Sequence, residues 1–376
     1  MSINPSSLRG ALARLLGGLG LLAVAGLARA EYALNFQRPV TEVAHDVYGL
    51  HMLIFWICVA IFILVFAVMF YSLWAHRKSR GHQAASFHES TTLEVVWTII
   101  PFVILVVMAV PSTATLLKMD NVSDSDMSVK ITGFQWKWKY DYMDQDISFI
   151  STLATPREQI EGKAEKGEHY LLEVDKPVVL PVGKKIRFLI TANDVIHAWW
   201  VPQLGVKKDA IPGFVNEVWT RIDEPGTYRG QCAELCGKDH GFMPIVVKAV
   251  SQEDFDAWVQ EQKALQVAAA GEAEKTWTLD ELMARGKSVY GQCAACHGAK
   301  GEGVGPFPKL AGSPVATGPT ADHIKVVLDG RPGTAMQAFG PQLSDTDIAA
   351  VVTYERNAFG NNTGDVVQPS DVKALR

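Results

Sequence analysis

Residues 232–243 read Cys-Ala-Glu-Leu-Cys-Gly-Lys-Asp-His-Gly-Phe-Met, and this stretch decides how the rest of the chain is interpreted. It brings two thiols, an imidazole and a thioether close together, and Gly237 and Gly241 allow a tight loop to fold back on itself. Thiolate and thioether ligands select soft metal ions. The mixture of cysteine, histidine and methionine therefore favours copper over zinc, whose structural sites use cysteine and histidine.

A second imidazole is available upstream, at His197, where a predicted strand ends. The alternative interpretation of the loop is a disulfide between Cys232 and Cys236. A bridge across so few residues would stabilise the fold little, because it removes little chain entropy. We therefore expect a metal site.

Strand patterns lie on both sides of the loop. Residues 127–142 alternate with period two and are rich in aromatic side chains, and shorter runs at 171–174, 178–180, 185–190 and 218–222 also predict strands. Turn sequences at 181–184 and 223–226 separate them. Short strands at this spacing predict an all-β sandwich or barrel covering residues 119–260.

The composition points to a multidomain protein that is partly embedded in lipid. A chain of 376 residues suggests two or three domains. Its hydrophobic fraction of 48% and mean hydropathy of +0.09 are high for a wholly soluble protein. The net charge of −5 argues against a nucleic-acid partner.

The N-terminal part of the chain predicts export followed by a membrane hairpin. Residues 1–30 resemble a cleavable signal peptide, with an uncleaved anchor as the alternative. Within residues 31–118, apolar runs at 50–74 and 93–117 are each long enough to cross a bilayer. The basic loop at 76–80 is placed in the cytoplasm by the positive-inside rule. Everything after about residue 118 is then on the periplasmic side of a bacterial inner membrane.

Residues 230–246 resemble the dicopper loop of subunit II of the haem-copper cytochrome c oxidases, and residues 40–260 follow the plan of that family in order. The resemblance implies a cupredoxin-like sandwich. It also implies a two-copper centre with six ligands: Cys232 and Cys236 as bridging thiolates, His197 and His240 as terminal imidazoles, and Met243 and the carbonyl of Glu234 as weak outer ligands.

The same resemblance implies roles for three further groups. Glu94 matches a glutamate at the cytoplasmic mouth of a proton pathway; the alternative is an interfacial carboxylate near a helix N-terminus. Trp136 matches the tryptophan that receives electrons under a docking surface; the alternative is a core residue. The side chain of Glu234 would reach a magnesium ion shared with the catalytic subunit.

Nearby positions agree with the family pattern only in part. Asp194 and Asp209 match family positions near the copper site and the interface with the catalytic subunit. Phe134 and Lys137 stand where histidine and tyrosine are usual, which puts the docking surface in doubt.

The C-terminal region carries a haem attachment sequence. A small, polar stretch at 261–276 predicts a linker, and 279–290 predicts an amphipathic helix leading into Cys-Ala-Ala-Cys-His at 293–297. C-x-x-C-H attaches haem covalently through Cys293 and Cys296 and directs His297 to the iron. A thioredoxin-type disulfide is the alternative, but no βαβ pattern surrounds the motif.

Two side chains are candidates for the second axial ligand. Met336 is the only methionine after the haem motif, and His323 is the rival. Residues 277–360 resemble an all-α class I cytochrome c, in which the carbonyl of Pro308 would support the haem histidine. Ser344 is expected to cap a closing helix at 348–357, and 361–376 predicts a loosely ordered tail.

Together these features predict an electron-input subunit of a proton-translocating terminal oxidase. Its covalent haem c and two coppers would pass electrons to catalytic subunit I, which reduces O2 to water; subunit III, a soluble cytochrome c donor and the lipid bilayer are the other expected partners. A quinol oxidase subunit would lack the copper ligands. Nitrous oxide reductase would carry a propeller repeat, and a copper-delivery protein would not need haem.

Overall fold

The computed structural model describes residues 35–83 and 86–376. The predicted signal peptide, residues 1–30, lies outside these described residues. Two long helices come first, α1 (Glu42–Ala75) and α2 (Thr91–Asp120). At about 1.5 Å per residue, both exceed a hydrocarbon core of roughly 30 Å.

The apolar side chains of these two helices point outward. Every described residue of α2 is at least partly exposed, and in α1 only Val43 and Ala44 are buried. Both helices are therefore long and apolar enough to cross a membrane. This agrees with the predicted hairpin.

A cluster of charged residues ties the outer ends of the two helices to the β domain. The Lys118 ammonium lies 2.5 Å from Glu42 and 2.6 Å from Asp46, which joins α2 to α1. Arg221 of the β domain donates to Glu42, and the indole of Trp219 donates to the Lys118 carbonyl at 3.0 Å. The helices are thus anchored where the polypeptide enters the sandwich.

Two five-stranded sheets form the sandwich that the aromatic alternation predicted. One sheet has the order β3-β2-β1-β5-β8 and the other β4-β10-β9-β6-β7. The strands are β1 (Met127–Phe134), β2 (Lys137–Tyr142), β3 (Ile147–Ser151), β4 (Val178–Pro181), β5 (Ile186–Ala192), β6 (His197–Val201), β7 (Val206–Ala210), β8 (Asn216–Thr220), β9 (Gly226–Cys232) and β10 (Pro244–Val250).

The inner faces of the two sheets form one aromatic core. Trp138, Tyr140 and Tyr142 alternate along β2 and are fully buried, as period-two patterning requires. The indole of Trp199 donates to the Tyr140 hydroxyl at 3.3 Å across the core. Trp138 is therefore a core residue, in agreement with the prediction.

One predicted strand is wrong. Residues 171–174 form a turn and loop that contribute only an isolated bridge between Val174 and Leu153. Leu171 has a φ of 61°, in the left-handed region that strands do not use. The apolar run resembled a strand, but backbone geometry, which periodicity does not encode, excludes it.

The chain continues into a helical region. A short helix α3 (Arg157–Ile160) lies between β3 and β4, and seven more helices follow in the described residues: α4 (Gln252–Glu274), α5 (Leu279–Tyr290), α6 (Ala294–His297), α7 (Pro314–Thr317), α8 (Thr320–Asp329), α9 (Asp345–Asn357) and α10 (Pro369–Lys373). Helices α5 and α9 pack closely, since a Cβ on Gly286 would lie 2.1 Å from the Ala350 carbonyl oxygen. Ser344 accepts from the backbone of Asp347 and caps α9, as predicted.

Two segments are more ordered than the sequence suggested. The predicted linker, 261–276, is helical through Glu274 because α4 begins at Gln252 and carries Phe255 and Val259 into the sandwich core. The predicted loose tail, 361–376, forms helix α10 (Pro369–Lys373) and buries Val367 and Val372. The linker is thus the continuation of a helix that starts on the sandwich, and the tail packs on the core of the helical region, and local composition predicts neither.

Candidate functional site

The sandwich brings the predicted copper ligands together at one end. Strand β9 ends at Cys232, and Trp199 of β6 is paired with it, so His197 at the start of β6 lies on the same face nearby. The backbone N–H of Cys232 donates to the Met243 carbonyl at 3.0 Å, which closes the loop at its base. One strand therefore delivers the distant histidine to the ligand loop.

The donor atoms form a compact buried cluster. The two Sγ atoms lie 3.8 Å apart, the Nδ1 atom of His197 is 3.9 Å from the Cys232 sulfur, and Nδ1 of His240 is 3.4 Å from the Cys236 sulfur. The Glu234 carbonyl oxygen lies 3.4 Å from the Cys232 sulfur. A disulfide requires about 2.05 Å between sulfurs, so both cysteines are free and the disulfide interpretation does not describe this structure.

Of the two loop glycines, only one has a conformational requirement. Gly237 has a φ of 113°, and a Cβ there would lie 3.0 Å from the Gln135 side chain. Gly241 has no such backbone conformation and faces open space. Gly133, which the sequence reasoning did not single out, has a tighter constraint: a Cβ would lie 2.8 Å from the His197 ring.

A second layer of hydrogen bonds orients the ligands. Asp194 accepts from Nε2 of His197 at 2.8 Å and from the backbone N–H of Gln135 at 2.7 Å. The side chains of Gln135 and Trp136 both donate to the Cys236 carbonyl, at 2.8 and 3.1 Å. Such outer partners fix the orientation of metal ligands. Gln135 was missed from the sequence, although its position beside Trp136 could have drawn notice.

The electrostatics of the cluster favour negative charge on sulfur. The hydrogen bond from Cys236 lowers the pKa of Cys232 to about 3, although burial opposes this. The same contact raises the pKa of Cys236. Burial disfavours protonation of His197, but its bonds to Asp194 and Cys232 outweigh burial and raise its pKa. A buried thiolate with soft neighbours is what a copper ion binds.

Two predicted carboxylates lie outside the cluster. Glu94 is exposed in the first turn of α2. The side chain of Glu234 is exposed on the loop surface, beside Leu235, which is 78% exposed. Both positions leave these carboxylates accessible to partners beyond this chain.

The helical region holds the C-x-x-C-H motif on one turn. The backbone of His297 donates to the Cys293 carbonyl at 2.9 Å, which keeps both thiols and the imidazole on α6 and its N-cap. Nδ1 of His297 lies 2.8 Å from the Pro308 carbonyl oxygen. The imidazole is therefore oriented through Nδ1.

The two candidates for the second axial ligand differ in their surroundings. Met336 lies in a loop whose backbone is held by Arg331, and its side chain is partly exposed. His323 is buried, and its Nε2 is hydrogen-bonded to Glu355 at 2.8 Å. This bond engages only Nε2, and Nδ1 of His323 is buried without a hydrogen-bond partner among the described residues. Met336 thus lies at the surface of the domain and His323 in its interior.

The helical region contacts the β domain on both sides of Trp136. Lys137 donates to the side chain of Gln292 at 3.0 Å, and Gln337 donates to the carbonyl of Gln135 at 3.3 Å. Gln292 precedes the first haem cysteine, and Gln337 follows Met336. The haem motif and the copper loop are thus brought to the same surface, a placement that the sequence could not give.

Three family models match the chain. They are described as the periplasmic domain of cytochrome c oxidase subunit II, over residues 127–250, its transmembrane domain, over 29–115, and cbb3-type cytochrome c oxidase subunit III, over 281–354. The last match covers the helical region with the C-x-x-C-H motif.

Similar proteins come from bacteria and plants. The probable cytochrome c oxidase subunit 2 of Rickettsia bellii is 39% identical over 245 residues, which cover 65% of this chain and 88% of that protein. The mitochondrial cytochrome c oxidase subunit 2 of Vigna unguiculata is 41% identical over 254 residues, 67% of each chain. A crystal structure of the periplasmic domain of subunit II of cytochrome oxidase from Bradyrhizobium japonicum is 43% identical, with a TM-score of 0.35, and covers 38% of this chain and 97% of that one.

Proposed function

This chain belongs to the cytochrome c oxidase subunit II family, and we propose that its own residues form a two-step electron path from a covalent haem c to a two-copper centre. It is the electron-input subunit of a terminal oxidase and carries a fused cytochrome c-type domain. Membership implies a copper centre, haem and association with catalytic subunit I. The number of coppers and the roles of individual residues are our proposal.

The copper proposal rests on the cluster of soft donors around the two facing sulfurs. Its thiols and imidazole Nδ1 atoms converge, and Asp194 holds His197 with Nδ1 toward the Cys232 sulfur. Met243 is buried at the base of the loop, where its thioether suits a weak outer ligand. Copper held by these thiolates and imidazoles would supply one-electron transfer with little rearrangement.

The haem proposal rests on the free thiols and the anchored imidazole. Cys293 and Cys296 are both free and partly accessible, so each can form a thioether. The carbonyl of Pro308 fixes the ring of His297, and Met336 lies on a loop near the inter-domain contact. A haem held there would also be a one-electron carrier.

Trp136 connects the two sites. Its indole donates to the carbonyl of Cys236, and the backbone of its neighbour Gln135 accepts from Gln337 of the cytochrome domain. We assign Trp136 as the point where electrons enter the copper domain. The observation that carries this function is that the turn between β1 and β2 contacts the cytochrome domain through Gln135 and also hydrogen-bonds to the ligand loop at the Cys236 carbonyl.

Three further assignments complete the proposal. Exposed Glu234 offers a carboxylate to a magnesium ion shared with subunit I, and Glu94 offers one to a proton pathway at the other end of the membrane helix. Subunit III and a soluble cytochrome c are the further partners. The oxidase lies in a bacterial inner membrane with the soluble domains on the periplasmic side, where covalent haem attachment and copper loading occur.

Metal and haem quantitation on the purified oxidase complex tests this function. We expect this subunit to contribute two coppers and one haem c, with a near-infrared band from the mixed-valence copper pair. Cys232→Ser should lose that band and keep the haem spectrum, whereas Cys58→Ser, in membrane helix α1, should keep both. Unchanged copper content in the Cys232→Ser protein would refute the ligand assignment.

A further inference from the structure

Lys137 is a buried cation on the outer face of strand β2. Strand alternation directs Trp138 into the core and Lys137 and Lys139 away from it. Lys139 is one-quarter exposed and pairs with Asp141 at 3.1 Å. Lys137 is only 7% exposed. The difference arises because the cytochrome domain covers Lys137.

The contacts of the Lys137 ammonium are to neutral groups of that domain. Its Nζ lies 3.0 Å from the Gln292 amide oxygen and 5.4 Å from the centre of the Phe339 ring. Gln292 is adjacent to Cys293, and Phe339 follows Met336 by three residues. The charge is therefore placed between the two segments proposed to hold the haem.

Lys137 retains its charge near neutral pH. Burial lowers its pKa to about 8, while Cys293 and Asp194 act in the opposite direction. A buried ammonium with one hydrogen bond is weakly compensated, because desolvation of a charge is unfavourable unless partners replace water. Hydrophobic burial alone would have favoured an apolar side chain at this position, so the buried charge calls for an explanation.

We propose that Lys137 couples the seating of the cytochrome domain on strand β2 to the charge of the haem iron, so that the domain seats more tightly when the iron is ferrous. This rests on the proposed haem attachment through Cys293 and Cys296. A fixed positive charge disfavours a second positive charge nearby, and more strongly where water is excluded. Linkage is reciprocal, so if seating favours the ferrous state, the ferrous state favours seating.

Electron transfer changes the charge at the interface between the cytochrome domain and Lys137. Transfer of one electron from the iron to the copper pair adds one positive charge on the cytochrome side of the interface, and no bond is made or broken. Lys137 belongs to the copper domain, so its repulsion with that new charge acts across the interface. The contacts of Lys137 with Gln292 and of Gln337 with Gln135 are then weakened after each transfer. The surface of the cytochrome domain that covers Lys137 then becomes accessible to the next electron donor.

Potentiometric titration of the haem in the purified oxidase complex tests the coupling. Lys137→Met keeps the apolar stem and removes the ammonium, Lys137→Arg keeps the charge, and Lys139→Met is the matched control on the same face of the same strand. We expect Lys137→Met to lower the midpoint potential by about 59 mV, which corresponds to a tenfold change for a one-electron couple. The Arg variant and the Lys139→Met control should stay near the wild-type value. Equal potentials for wild type and Lys137→Met would overturn the proposal.

Hydrogen exchange provides a second readout that a merely structural lysine would not change. Backbone amides of residues 335–343 should exchange about tenfold more slowly in the ferrous than in the ferric wild-type complex, by the same linkage. Lys137→Met should remove this difference and Lys139→Met should keep it. Equal exchange in both states of the wild type would contradict redox-linked seating.

Haem content distinguishes a failure of the proposed electron path from a failure of the proposed role of Lys137. Wild type and all three variants should contain the same haem c. Absence of covalent haem from the wild-type subunit would refute the proposed function, whereas full haem content with an unchanged potential would refute only the role of Lys137.

Discussion

Exchange of Asp194 for asparagine should weaken copper binding by about tenfold to a hundredfold. The carboxylate accepts three hydrogen bonds: one oxygen accepts from Nε2 of His197 at 2.8 Å and from the backbone of Val195 at 2.7 Å, and the other accepts from the backbone of Gln135 at 2.7 Å. Asparagine offers one acceptor oxygen and an amide group that is itself a donor. The bonds to one of the two oxygens must therefore be lost, and the amide group faces an N–H donor in their place.

The magnitude follows from the kind of bond that is removed. A hydrogen bond to a charged group contributes about 1.5–3 kcal/mol, and about 1.4 kcal/mol corresponds to a tenfold change in affinity. Removal of an outer partner of a metal ligand typically weakens metal binding by about 10–100-fold. Both considerations give the same range, because loss of either the bond to His197 or the bond that fixes Asp194 to Gln135 loosens the support of the imidazole, while its copper-binding nitrogen remains.

Chelator competition on the purified complex, followed by the near-infrared copper band, measures this affinity. Asp194 also raises the pKa of His197 above 6.5, and a protonated imidazole must lose its proton before it binds a metal. Loss of the carboxylate would ease that step at low pH, so the titration belongs at pH 8 or above, where the orienting effect dominates. Loss of the orienting hydrogen bond weakens copper binding, whereas the lower pKa of His197 would favour copper binding at low pH.

Asp209→Asn is the matched control. Asp209 lies opposite Ala198 in the neighbouring strand, and its side chain is exposed. We expect copper affinity within twofold of wild type for this variant, in contrast to Asp194→Asn. An Asp194→Asn protein that keeps wild-type affinity would show that the carboxylate does not position His197. Equal losses in both variants would indicate a general effect of charge.

Two predictions concern the stability of the cytochrome domain. Val372→Ala in the packed C-terminal helix should destabilise the domain by about 2 kcal/mol, because removal of a fully buried side chain leaves a cavity. Thermal unfolding should show this loss, whereas Val366→Ala, at a more exposed position, should leave the melting temperature unchanged. Equal melting temperatures for Val372→Ala and wild type would contradict the packing of the tail. Arg356, which is buried, lowers the pKa of Asp365 below 3.8, so the ion pair should stabilise the domain above that pH and lose its effect as pH falls through the lowered value. Asp365→Asn should lower stability at pH 7 by about 1 kcal/mol, a value reduced for the partial exposure of the carboxylate. This loss should shrink steadily as the pH falls below 3.8, and a difference that does not shrink in acid would point to another cause.

Much of the candidate site could be predicted from the sequence because its chemistry is local. Cysteine, histidine and methionine spacing at 232–243 defines a soft metal loop, and the C-x-x-C-H motif needs only five consecutive residues. Helix α5 begins and ends at the predicted residues, since its amphipathic period and capping box are contained in a dozen positions. The membrane helices could be predicted in the same way, because an apolar run long enough to cross the bilayer is visible in the local sequence.

Other features depended on packing between distant segments. The strand predicted at 171–174 is a loop, and the tail after residue 361 is packed, because burial by another element outweighs local composition. Gln135 gained its role only when the fold placed Asp194, Cys236 and Gln337 around it. No periodicity in the sequence predicts that these three residues surround Gln135.

Residue identities alone therefore determined the two redox motifs, the membrane hairpin and the β-rich middle domain, because ligand chemistry and hydrophobic period act over a few residues. Tertiary structure alone decided that the haem region lies beside Trp136 and that Lys137 is enclosed. The physical reason is that a side chain on the outer face of a strand loses its water only when another domain covers it. Burial of Lys137 by the cytochrome domain depends on how distant parts of the chain pack together, and no single segment of sequence encodes it.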